Sequence, residues 1–137
     1  MDISALISQI NWLAVLVMTI LSFIIGFLWH QSFLFGKLWK AENRYDMEKK
    51  INAPLIFGGT ALMHFTAFAG LSALVSGAGA GEGFRTGLLV SVLWILPAMT
   101  GTYLFANRSL KLLAIDAGMY IVLFALAGLL FGIWSIQ

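Results

Sequence analysis

Residues 10–30 read INWLAVLVMTILSFIIGFLWH and sit inside a charge-free gap that runs from residue 3 to residue 36. A helix needs about 20 apolar residues to cross a hydrocarbon core of about 30 Å. This stretch is long enough. Three more gaps between charges follow, at 51–81, 86–107 and 117–137. The spacing predicts transmembrane helices over about 10–30, 53–76, 84–105 and 112–134. The apolar runs are continuous rather than alternating, and lipid tolerates no open sheet edge, so strands are excluded.

Composition points the same way. The 137 residues are 61% hydrophobic and 10% charged, with mean hydropathy +0.94. Soluble domains carry about 25% charged residues, and a soluble chain of this length has too little interior to hide so much apolar surface. The fold class is all-α, a polytopic membrane protein built as one four-helix bundle over 1–137. The first helix does not read as a secretory signal. Residues 1–10 hold Asp2 and no Lys or Arg, whereas a signal carries its positive charge before the apolar core.

The loops set an expected orientation. Lys37, Lys40, Arg44, Lys49 and Lys50 lie in the first loop and Arg108 and Lys111 in the third, whereas the second has only Arg85. The positive-inside rule places loops one and three in the cytoplasm and both termini outside. The net charge of +2 comes mostly from these loops. A topology signal that also meets anionic lipid explains it without a nucleic-acid partner.

The first span leaves the membrane through WHQSFLFGKLWK, residues 29–40. Trp29 and Trp39 fit an aromatic belt with Lys37 and Lys40 at the headgroups, and Trp12 and Trp134 mark the opposite interface. Residues 33–39 are expected to lie along the surface before the polar loop. Residues 77–83 read as a Gly-rich external connector. The run SGAGAGEGF lacks the GK[ST] ending of a phosphate loop.

Two local patterns carry a family resemblance. One is Gly26-x-x-Trp29 followed by Phe35-Gly36-Lys37-x-Trp39. The other is the run from Asn107 to Gly118, NRSLKLLAIDAG. Together they resemble the bacterial membrane family known as domain of unknown function 1761, over nearly the whole chain. In that family an aromatic and a Pro often stand where His30 and Phe33 stand here, so the resemblance assigns no role to His30. It implies a small four-helix membrane protein and no particular activity.

At 100° per residue, each span has a stripe of small or weakly polar residues. Asn11, Val15, Thr19, Ser22, Gly26 and His30 share one in the first helix. Gly59, Thr66, Gly70 and Ala73 share one in the second, with His64 beside it. Gly87, Ser91, Trp94, Ala98, Gly101 and Thr102 share one in the third, and Ala114, Gly118, Ala125, Gly128 and Gly132 in the fourth. Small residues let helix backbones approach. Asp116, Tyr120, Leu123, Ala127 and Trp134 fall on the other side of the fourth helix. One side is therefore expected to pack inside the bundle and the other to meet another subunit in a homo-oligomer or a larger complex. Pro97 is expected to kink the third helix.

Ionisable residues inside a membrane are functional suspects. Here they are His30 and Asp116 near one edge and His64 near the midplane. Tyr103 and Tyr120 stand close enough in sequence register to join them. Such a cluster either relays protons or holds a ligand, or it is a structural hydrogen-bond lock. Asp116 has Arg108 and Lys111 as alternative partners. Other chemistry lacks its parts. Two His and no Cys complete no zinc set and supply no thiol nucleophile. The two His differ in depth by about 15 Å at helical rise, which rules out a shared haem. No serine triad can be assembled. No metal, cofactor or enzymatic activity is expected. Two readings stay open: a structural or accessory membrane subunit, and a small transporter or channel-like oligomer using Asp116 and the His residues.

Overall fold

The computed structural model describes residues 2–43 and 50–134, so Arg44 and Lys49 of the first loop lie outside the described residues. Every regular element among these residues is helical. A short helix α1 (Ile3–Ser8) precedes α2 (Trp12–Trp29). Then come α3 (Gly36–Asn43), α4 (Ala53–Val75) and α5 (Ala80–Val90). A π-helical turn (Ser91–Ile95) joins α5 to α6 (Leu96–Phe105), and α7 (Leu110–Ile133) closes the chain. Four helical stretches are long and apolar enough to cross a membrane: Trp12–Trp29, Ala53–Val75, Ala80–Phe105 and Leu110–Ile133.

Side-chain caps start these helices. Asn11 accepts from the Ala14 N–H at 3.0 Å, Asn52 from Leu55 at 3.1 Å, and the Ser109 hydroxyl from Lys111 and Leu112. Each cap satisfies a donor that the first helical turn leaves orphaned. Asn11 also ties three spans together. Its amide side chain donates to the Trp134 carbonyl at 2.9 Å, and its backbone N–H donates to Ser72 Oγ at 3.2 Å. The start of α2 is thereby joined to the ends of α4 and α7.

The central helix is α7. Half of its most apolar window is buried, against 11% for the span formed by α5, the π-turn and α6. Its closest partner is α5. A Cβ added at Gly83 would sit 2.1 Å from the Gly128 carbonyl oxygen, and one added at Gly128 would sit 2.0 Å from that of Gly83. Gly87 meets the Phe124 carbonyl in the same way, and Gly132 meets that of Gly79. The two backbones touch because nothing larger than hydrogen projects between them. The expected Gly-rich connector is therefore shorter than 77–83. Gly77 and Gly79 make the turn at φ of 74° and 85°, and the helix starts at Ala80. Residues such as Gly83 belong to a helix face.

The remaining glycines divide. Gly26 lies against Met119 and Gly118 against the Trp29 ring, where α2 crosses α7. A Cβ at Gly59, Gly70 or Gly101 would meet nothing within 4 Å. Contrary to the stripe read from the sequence, α4 turns a different face inward, with Phe68, Leu71, Ser72 and Val75 buried. Its Phe68 packs on Phe124 and Phe131, at centroid separations of 5.5 and 6.4 Å. Burying one aromatic ring removes more apolar area than a glycine stripe can. The second side of α7 is also covered within the chain. Leu123 and Ala127 are buried along with Gly128 and Gly132, so that face needs no second subunit to cover it.

Pro97 stands two residues past the end of the π-turn, in the first turn of α6. Proline lacks the donor that would reach back four residues to Leu93, and its ring crowds that carbonyl. Widening the preceding turn to an i→i+5 pattern accommodates both effects. Large apolar side chains remain exposed along every span, among them Ile20, Phe27, Phe57, Leu62, Leu93 and Trp94. A bilayer covers such surface.

Candidate functional site

Two of the suspected residues, Tyr103 and His30, converge with Trp39 on the α7 carboxylate. The Trp39 indole N–H on α3 donates to Asp116 Oδ1 at 2.9 Å, and the Tyr103 hydroxyl on α6 donates to Oδ2. His30, the C-cap of α2, places its Nε2 3.8 Å from Oδ1. That is beyond a hydrogen bond and within ion-pair range only when Nε2 carries a proton. His30 Nδ1 lies 2.8 Å from the Gly26 carbonyl. A carbonyl can only accept, so Nδ1 bears the ring proton. In the neutral ring Nε2 is then an open lone pair facing the carboxylate.

A tight turn builds this site. A Cβ on Gly36 would lie 2.1 Å from the His30 carbonyl oxygen, so only glycine lets α3 fold back under α2. That fold brings the Trp39 ring edge-on to His30, with centroids 5.2 Å apart, and delivers its N–H to Asp116. Trp29 packs at a tilt against Phe35 and donates to the Ile115 carbonyl at 3.0 Å. Both tryptophans read as interface anchors thus direct their indole N–H groups into the fold. Trp12 and Trp134 are more exposed, with Trp12 stacked on Phe65.

Around the cluster lies a second polar layer. The Arg108 guanidinium sits over the Tyr103 ring at 5.5 Å. Lys111 pairs with Glu42 at 3.6 Å, and the Ser109 hydroxyl donates to Glu42. The alternative partners expected for Asp116, Arg108 and Lys111, are thus engaged elsewhere. A polar cleft of about 610 Å³ opens here, bordered by Glu42, Asn43, Asn107 and Arg108.

His64 and Tyr120 do not join this group. His64 is buried, with Nδ1 2.7 Å from Ser22 Oγ on α2. The Tyr120 ring stands edge-on to it at 5.9 Å. The suspected residues therefore form two sites: His30, Tyr103 and Asp116 at the Lys/Arg-rich end, and His64 with Tyr120 deeper in the bundle. Among the described residues, no three His, Cys, Asp or Glu side chains converge as a metal set would require. Sequence reasoning missed Trp39 and Ser22 as polar partners. It also missed Gly83, whose spacing of four from the packing residue Gly87 matches that of Gly128 and Gly132 and could have marked it.

With every regular element among its described residues helical, and with four membrane-span-like helices of which a polar cluster joins three at one end, the molecule has the form of a small multi-pass membrane protein. The chain belongs to the family of proteins of unknown function DUF1761, whose model matches residues 13–132. No curated protein and no solved structure matches it.

Proposed function

We propose that this is a non-catalytic scaffold subunit of a bacterial inner membrane, acting by helix packing in a homo-oligomer or a larger membrane complex. The observation that carries this reading is the engagement of Asp116. Each carboxylate oxygen accepts from a donor on a different element, Trp39 on α3 and Tyr103 on α6. A carboxylate held on both sides fastens helices together and has little freedom left to carry cargo. The excess of Lys and Arg at this end favours its placement in the cytoplasm. The exposed apolar faces supply area for lipid or for neighbouring spans.

Native mass spectrometry after gentle extraction from the source membrane tests the reading. A defined homo-oligomer, or one copy within a heteromeric assembly, is the expected result. Recovery as a bare monomer at every detergent concentration overturns it.

One observation favours a second reading, a small transporter or channel-like oligomer. His30 Nε2 faces Asp116 at 3.8 Å, and both side chains are partly exposed. That is the geometry of a proton-accepting pair. Asp116→Asn separates the two readings. In proteoliposomes a relay loses pH-driven flux while the fold survives, whereas a fastening loses thermal stability or assembly.

A further inference from the structure

His64 carries a buried nitrogen that the fold does not use. The ring is 94% buried, counted from its 6% exposure, and its Nε2 has no hydrogen-bond partner. Such an atom is costly in a membrane interior, where no bulk water compensates it.

Proton counting defines what the atom is. Ser22 Oγ lies 2.7 Å from the Thr19 carbonyl and 2.7 Å from His64 Nδ1. The carbonyl can only accept, so the one serine proton goes to Thr19. Nδ1 must then donate to Ser22 Oγ. The neutral ring is the Nδ1–H tautomer, and Nε2 is a bare acceptor.

Its surroundings define what can reach it. His64 borders an apolar cleft of about 290 Å³ that Met63 and Ala67 of α4, Met99 of α6, and Tyr120 and Phe124 of α7 also line. Ser22, which takes Nδ1, is not among the residues that line the cleft. A second apolar cleft of about 300 Å³ shares Ala67, Ile95 and Phe124 with the first and continues along α4 past Gly70 to Trp94. The two form one lateral seam between α4 and the span that contains the π-turn. Met63, Leu74 and Trp94 along the seam are exposed at the outer surface of the bundle. Met63 and Met99 in its wall are unbranched and adaptable, as side chains that admit a guest must be.

We propose that this seam binds a membrane-dissolved alcohol or phenol, whose apolar body lies along α4 and whose hydroxyl donates to His64 Nε2. An acceptor-only molecule such as a ketone or an ether gives the nitrogen nothing. A charged headgroup has no counter-charge among the residues lining the cleft. The site is separate from the Asp116 cluster, and the inference stands whether or not the scaffold reading does.

The test uses the full chain in nanodiscs and a diazirine-bearing alkylphenol as photoprobe. Labelling is expected at Met63, Met99 or Tyr120. Unlabelled 4-nonylphenol is expected to compete at least tenfold better than its methyl ether in the wild type, a comparison that needs no mutant to fold. His64→Phe should remove that preference, and Ala67→Trp, which fills the seam, should remove labelling. Equal competition by phenol and ether in the wild type overturns the proposal. So does stronger competition by a ketone of the same chain length, or labelling scattered over the exposed lipid-facing side chains.

Discussion

The indole N–H of Trp39 and the carboxylate of Asp116 meet at 2.9 Å across 77 residues of chain. This contact makes α3 part of the bundle. Together with the Glu42 contacts to Ser109 and Lys111, it ties this eight-residue helix between two spans to α7. With it, the carboxylate gains a donor that neither α6 nor α7 can supply.

Trp39→Phe keeps the ring and removes that donor. The loss of one hydrogen bond to a charged acceptor is expected to cost about 1.5–3 kcal/mol. Tyr103→Phe removes the other donor and should cost a similar amount. Thermal unfolding in detergent, followed by size-exclusion fluorescence, checks both. Because the two donors share one carboxylate, the double variant should depart from additivity.

Gly128→Ala puts a methyl group 2.0 Å from a backbone carbonyl that belongs to another helix. Neither backbone can step aside without parting α5 from α7. Overpacking of this kind costs about 1–3 kcal/mol. Gly70→Ala is the control, because its Cβ would meet open space. Removing a helix-interior glycine there should be neutral or stabilise by up to about 1 kcal/mol. Equal melting temperatures for the two variants would contradict the packing described here.

Asn11→Ala removes an N-cap and the amide bond to Trp134 in one step. The cap alone is worth about 1 kcal/mol. The loss should therefore exceed that of Asn52→Ala, where Asn52 caps α4 from an exposed position. Denaturant titrations of the two variants side by side provide the measurement.

Asp2 offers a pH-dependent check outside the membrane. Its carboxylate accepts from the Ser4 hydroxyl at 2.6 Å and from the Ser4 N–H at 2.9 Å. These bonds hold its carboxyl below the usual carboxylate range. Since the folded value is the lower one, the cap on α1 is fully formed above the ordinary carboxylate pKa. It is lost as pH falls through the lowered value. A carboxyl ¹³C titration should give Asp2 a lower midpoint in the wild type than in Ser4→Ala, and coincident curves would refute the cap.

The four spans were legible in the sequence because crossing hydrocarbon depends on the length and apolarity of a continuous run, and both are local properties. The resemblance carried by the stretches around Trp29 and Asp116 was legible for the same reason. The partners of the polar residues were not. Ser22 and His64 lie 42 residues apart, and Trp39 and Asp116 lie 77 apart. A helical-wheel stripe says which residues share a side and leaves open which side a neighbour covers. For this reason Gly59, Gly70 and Gly101 read as packing residues yet face open space, whereas Gly83, read as a loop residue, touches Gly128. Helix and length follow from the chain itself, since each hydrogen bond in a helix closes within four residues. Only the tertiary structure decides which faces meet, because that choice weighs the burial of Phe68 and Phe131 against the close approach of two glycine backbones. The same choice leaves one nitrogen of His64 without a partner.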